Sequence, residues 1–88
     1  MTEDCWYVYM LCCQDKTLYT GICKDVQRRV DEHNNDDKLA ARYTRVRRPV
    51  TLVYQEEYGS RSEAARREAA VKKLARRDKL ELIKQVAS

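Results

Sequence analysis

Arg29 and His33 stand four residues apart in a stretch, residues 26–34, that has helical periodicity. At about 100° per residue, Val26, Val30 and His33 share one stripe and Arg29 lies roughly 40° from His33, while Arg28 falls on the far side. A lone histidine beside an apolar stripe is commonly a packed residue. An arginine one turn away, aimed at the same partner surface, argues for a polar site instead. A guanidinium can take phosphate oxygens bidentately, and an imidazole can hold or pass a proton.

Glu68 is a second candidate. It borders the stripe Ala64, Val71, Leu74, Ala75 of a later helix, within about 60° of three of those residues. A carboxylate at the edge of a buried face needs a partner. Lys72, at the favourable i+4 spacing, would serve, and so would a metal ion. The third group lies in residues 35–49, where Arg42, Tyr43, Arg45, Arg47 and Arg48 set an aromatic ring among closely spaced guanidiniums. That mixture suits phosphate contacts beside a base-stacking surface, although a solvated basic loop would read the same way. The charge distribution agrees: residues 1–44 carry −2 and residues 45–88 carry +6, within a net charge of +4.

These groups need elements to hold them. Trp6 to Cys13 and Leu18 to Cys23 are rich in aromatic and β-branched residues and read as two strands joined by a turn at Gln14 to Thr17. Asp25 is a good N-cap for the helix over 26–34. Residues 35–49 read as a loop or short irregular helix, ended by Pro49. Val50 to Tyr58 reads as a third strand, with Val50, Leu52 and Tyr54 alternating. Ser60-Arg61-Ser62-Glu63 reads as a capping box that opens a helix running to about Ala75, and a last amphipathic helix, about Asp78 to Val86, follows through Leu80, Leu82, Ile83 and Val86. Gly21 is a weak residue for a strand interior. It marks either a bend or the close approach of a phosphate or a neighbouring side chain.

With 88 residues, the chain is expected to be a single domain over 1–88, with one layer of sheet and a few helices. Its hydrophobic share of 43% and charged share of 36% describe a globular chain, and two Gly and one Pro argue against long linkers. The longest apolar run, Trp6 to Cys13, is far short of the roughly 20 residues that span a membrane. The acidic start, Met-Thr-Glu-Asp, lacks the positive region of a secretory signal, so a cytoplasmic location is expected. Cys5, Cys12, Cys13 and Cys23 lack paired C-x-x-C spacing and read as small strand hydrophobes rather than a zinc site, since Cys12 and Cys13 point to opposite strand faces.

Taken together, Tyr7-Val8-Tyr9, then Tyr19-Thr20-Gly21, then D-V-Q-R-R-V-D-E-H-N, then R-E-A-A-V-K-K-L form a specific pattern. Over residues 6 to about 84 the chain resembles the GIY-YIG nuclease superfamily, and most of all its small stand-alone bacterial members. The resemblance implies an α+β fold, a three-stranded antiparallel sheet packed with helices as a sandwich. It also implies divalent-metal hydrolysis of a phosphodiester. Tyr9, Tyr19, Arg29, His33 and Glu68 would be the catalytic residues, with Glu68 as ligand to Mg²⁺ or Mn²⁺. One hard oxygen plus waters is a common way to hold Mg²⁺ near a phosphate. Arg29 would neutralise charge on the phosphoryl oxygens. Tyr9 or Tyr19 would position or deprotonate the attacking water, which requires nearby positive charge because a free phenol has a pKa near 10. His33 would hydrogen-bond or relay the proton of a tyrosine. Two departures stand out: Tyr7 replaces the Gly of the first motif, and no Asn follows Asn35, where larger relatives carry an active-site Asn.

The resemblance also bears on the hairpin. If Gln14 to Thr17 were all in the loop, Cys13 would pair with Leu18, and Tyr9 and Tyr19 would point to opposite faces. Since the superfamily uses both phenols together, a loop of three or five residues, or a bulge, is expected. The leading function is a metal-dependent endonuclease acting on DNA with little sequence specificity, through Lys24, Arg42, Tyr43, Arg45, Arg47 and Arg48 as nucleic-acid contacts. Branched, damaged and single-stranded DNA all remain open as substrates, no membrane is involved, and the expected state is a monomer or weak dimer. The alternatives are a catalytically weak or inactive nucleic-acid-binding module, or a basic protein-interaction domain.

Overall fold

The computed structural model describes residues 5–87, with side chains through Gln85, so the acidic residues 1–4 and the side chain of Val86 lie outside the described residues. The elements run β1 (Trp6–Cys12), β2 (Leu18–Cys23), α1 (Val26–Asn35), α2 (Arg42–Arg45), β3 (Thr51–Tyr58), α3 (Arg61–Lys72) and α4 (Arg76–Ala87). The sheet is three-stranded and antiparallel in the order β2-β1-β3. This is the expected α+β sandwich. No helix among the described residues is long and apolar enough to cross a membrane.

The hairpin takes the five-residue solution. Cys12 pairs with Leu18, leaving Cys13 to Thr17 in the connection, and Tyr9 then stands opposite Gly21 and Leu11 opposite Tyr19. Asp15 organises this loop by accepting from the backbone N–H of Thr17 at 3.1 Å and its hydroxyl at 2.6 Å. The turn also places Lys16 at φ 71°, in the left-handed region that a side chain with a Cβ adopts at a cost.

Because strand side chains alternate, the sheet has two lined faces. On one, Tyr9, Leu11, Cys13 and Val50 are buried together, with Val30 of α1 and Tyr43 of α2 packed on them. On the other, Met10 and Tyr54 are buried against Val71 of α3, with Leu82 and Ile83 of α4 beside them. Each fully buried side chain of this size contributes on the order of 1.5–3 kcal/mol. Leu52 and Tyr54 were expected to share a face. Instead a register shift between Met10 and Leu11 leaves Val53 extra on β3, so that Leu52 meets Leu11 on one face and Tyr54 meets Met10 on the other. The bulge lets one strand supply both cores.

The caps are where the composition places them. Asp25 accepts from the N–H of Arg28 at 3.1 Å, and Ser60 from that of Glu63 at 3.2 Å. The boundary between the last two helices differs from expectation. Tight bonds from Lys73 to Ala70 and from Leu74 to Val71 close α3 at Lys72, and the carbonyl of Ala75 receives the N–H groups of Asp78 and Lys79. Arg76 and Arg77 are therefore the first turn of α4 rather than a linker.

Candidate active site

Tyr9 lies in the middle strand and is 1% exposed. Its ring crosses over Gly21 on the neighbouring strand. A Cβ built at Gly21 would fall 2.7 Å from the Tyr9 hydroxyl and 2.9 Å from Cζ. Of the two meanings open for this glycine, close approach of a side chain is the one realised. Gly21 has no positive φ, so the requirement is for space and not for backbone freedom.

The phenol of Tyr9 meets His33 of α1, with Oη 2.9 Å from Nε2. The imidazole is itself completely buried, and its Nδ1 is 2.7 Å from the hydroxyl of Thr44. Tyr19 completes the group. Its ring is 6.4 Å from that of Tyr9 and meets His33 edge-on at 5.3 Å. Burial, assisted by the positive charge of Arg29, pushes the pKa of His33 down to about 4, so the ring is neutral near pH 7. Burial likewise pushes the Tyr9 phenol well above its ordinary value, against the opposing pull of a hydrogen bond from Arg29.

Arg29 thus faces the sheet with His33, as the helical geometry requires. Its Nη1 is fixed by Glu32 at 2.8 Å and by the carbonyl of Leu39 at 2.8 Å. A cleft of about 200 Å³ opens beside it, lined by Cys23, Lys24, Asp25, Arg28, Arg29 and Glu32. Four of the five expected catalytic side chains, Tyr9, Tyr19, Arg29 and His33, therefore gather from three elements around one place.

Glu68 stands in the other helical layer. Arg67 reaches Glu56 on β3 at 3.0 Å, with Ala64 and Val71 buried between. Glu68 lies about 100° further round the helix and so faces the opposite flank, toward β2. Its carboxylate, 21% exposed, pairs with Lys72 at 3.2 Å. Among the described residues no three His, Cys, Asp or Glu side chains gather as a cage for a metal ion. A largely buried carboxylate paired with an exposed lysine nevertheless fits a divalent cation as one hard-oxygen ligand. The hydroxyl of Thr20, on the sheet face beneath α3, is also buried without a hydrogen-bond partner.

The basic segment proves to be mostly internal stitching. The Arg47 guanidinium sits over Tyr43, 3.9 Å from its ring centroid, and binds Asp15 at 3.0 Å and the Tyr43 carbonyl at 3.0 Å. Tyr43 stacks in turn on Tyr19, with centroids 6.0 Å apart and planes 25° apart. The ring expected to stack on bases therefore braces Tyr19. Arg48 binds the carbonyl of His33 at 2.7 Å and Asp37 at 2.9 Å, and Arg45 binds the carbonyl of Asp37 at 3.0 Å. Lys24 and Arg42 are exposed, Lys24 sitting 5.5 Å over the Trp6 ring. The four cysteines are free thiols. Thr44, Glu32 and Asp15 are the supporting residues that sequence reasoning missed. Thr44 and Asp15 matter through His33 and Arg47, partners distant in the chain, whereas Glu32 holds Arg29 three residues away on its own helix, an i,i+3 spacing that the sequence carried.

Comparison with known proteins agrees with this fold. Residues 5–81 match the family described as the GIY-YIG catalytic domain. The chain is 46% identical over 82 residues to a UPF0213 protein of Staphylococcus saprophyticus, covering 93% of this chain and 98% of the relative. It is 51% identical over 82 residues to a UPF0213 protein of Staphylococcus aureus, with the same coverage. The solution NMR structure of a UPF0213 protein from Bacillus halodurans is similar at 42% identity and TM-score 0.59, covering 92% of this chain and 84% of that one. An E. faecalis protein solved by the same method is similar at 38% identity and TM-score 0.64, with 98% and 90% covered.

Proposed function

Because the chain belongs to the GIY-YIG family of catalytic domains, we propose that it is a divalent-metal-dependent endonuclease that hydrolyses phosphodiester bonds in DNA with little sequence preference of its own. The observation that carries this reading is the convergence of Tyr9, Tyr19, Arg29 and His33, of which Arg29 also lines a cleft of about 200 Å³. A guanidinium anchored through Nη1 is held in place before substrate arrives, so charge that develops on phosphoryl oxygens meets a preorganised partner. Tyr9 is too buried to meet bulk water, and its role is to share a proton with His33. Tyr19 is only half-buried and is the phenol that reaches substrate or the attacking water. The Tyr43–Arg47 stack behind it holds the ring in one orientation. Lys24 and Arg42 meet the flanking phosphates, while Arg45, Arg47 and Arg48 shape the loop.

Glu68 would hold the divalent ion, Mg²⁺ or Mn²⁺, exchanging Lys72 for the metal. Because Glu68 stands in the layer opposite the phenols and does not line the cleft beside Arg29, an ion bound there would supply positive charge to a phosphate that passes round the β2 edge of the sheet. The protein works in the cytoplasm as a monomer or weak dimer, and a double-strand cut by so small a unit takes two copies or two encounters. The test is nicking of supercoiled plasmid with Mg²⁺ or Mn²⁺. Arg29→Ala and Glu68→Ala should abolish nicking while salt-sensitive binding persists. Salt-sensitive binding by the wild type without any cleavage would identify a binding module instead. Undiminished nicking by Arg29→Ala would remove the proposed chemistry.

A further inference from the structure

Both ring nitrogens of His33 are engaged inside the protein, and the partner of Nδ1 decides which of them carries the proton. Thr44 is completely buried and its hydroxyl has one proton to give. That hydroxyl lies 3.0 Å from the carbonyl of Ala41, which can only accept, and 2.7 Å from His33 Nδ1. When its proton goes to Ala41, whose carbonyl also receives the Arg45 N–H at 3.0 Å on its second lone pair, the Thr44 oxygen accepts from Nδ1–H. A neutral ring protonated at Nδ1 presents a lone pair at Nε2, so the Tyr9 hydroxyl, 2.9 Å away, donates. A competing arrangement exists, since the N–H of Ala41 also points at Nδ1, but at 3.5 Å it is the weaker contact.

We infer that Thr44 is a positioning residue that selects the Nδ1–H tautomer of His33 and so directs the Tyr9 proton onto the imidazole. The inference rests on the reading of Tyr9 and His33 as part of the catalytic centre. Its physical content is a chain of donations, Tyr9 to His33 to Thr44 to Ala41, which leaves the lone pairs of the Tyr9 oxygen turned toward Arg29. Removing the Thr44 hydroxyl while keeping its shape would strand Nδ1–H in a buried site. The ring escapes by moving its proton to Nε2 and accepting the Ala41 N–H at Nδ1. Nε2–H then donates to Tyr9, and the phenol proton is turned away.

His33 is the sole histidine of the chain, so ¹⁵N–¹H correlation NMR of the imidazole reads its tautomer without ambiguity and without nucleic acid. The expected results are Nδ1–H in the wild type, Nε2–H in Thr44→Val and Nδ1–H again in Thr44→Ser. In the nicking assay Thr44→Val should lose about tenfold or more in kcat with KM nearly unchanged, and Thr44→Ser should restore it. Wild-type protein showing Nε2–H overturns the inference even if Thr44→Val fails to fold, and so does folded Thr44→Val that retains Nδ1–H. Wild-type protein with Nδ1–H that cuts no DNA overturns the nuclease reading while the tautomer assignment stands.

Discussion

Gly21→Ala is the sharpest probe of how the two motif strands fit together. The added methyl would stand 2.7 Å from the Tyr9 hydroxyl and 2.9 Å from Cζ, where ordinary contact begins at 3.4 Å. Relief requires the phenol tip to move by about 0.7 Å, the difference between those limits. Tyr9 cannot swing outward, because it is 1% exposed and its hydroxyl is tied to His33 at 2.9 Å. Overpacking of this kind costs about 1–3 kcal/mol, and loss of the buried hydroxyl–imidazole bond adds about 1–3 kcal/mol. Alanine recovers up to about 1 kcal/mol of backbone entropy, so the net loss is about 1–6 kcal/mol. That is a large part of the roughly 5–15 kcal/mol that holds a small domain together. Urea denaturation would measure it, with the His33 ring signals as a second readout. Combining Gly21→Ala with Tyr9→Phe should recover part of the loss, since the closest atom is gone while Cζ remains. Stability within about 0.5 kcal/mol of wild type, with unmoved His33 signals, would refute the packing argument.

Three further outcomes are expected. His33 titrates at about 4 in the folded chain against 6.5 unfolded, so the unfolded state binds the extra proton between those values; its stabilising contribution is complete above about pH 6.5 and drains away as pH falls toward 4. Between pH 7 and pH 5 this amounts to about 2 kcal/mol, and His33→Gln should flatten that part of a urea-midpoint profile; an equal slope in both proteins would count against the burial of a neutral ring. Glu56→Ala should destabilise by about 2 kcal/mol in guanidinium titration, because Glu56 accepts from Tyr54, Tyr58 and Arg67 and ties α3 to β3; a change below about 0.5 kcal/mol would mean those bonds add little. Lys16→Asn should raise stability by a few tenths to about 1 kcal/mol by relieving the left-handed φ of 71° without disturbing Asp15, and a lower thermal midpoint would contradict it.

The chain's own pattern determined the order of elements, the two N-caps at Asp25 and Ser60, and the pairing of Arg29 with His33, because caps and helical periodicity are local signals carried by neighbouring residues. It also limited the hairpin to a loop of three or five residues or a bulge once both phenols were required on one face, because a strand has a period of two, and the structure chose five. Only the tertiary structure decided which arginines of residues 42–48 face inward, since their partners Asp15, Asp37 and the His33 carbonyl belong to segments distant or differently oriented in the chain. The same holds for the bulge at Val53, for Glu68 in the layer opposite the phenols, and for Thr44 beneath the imidazole. Long-range packing settled these, because a hydrogen bond or ion pair across the fold leaves no trace in the spacing of residues along the chain.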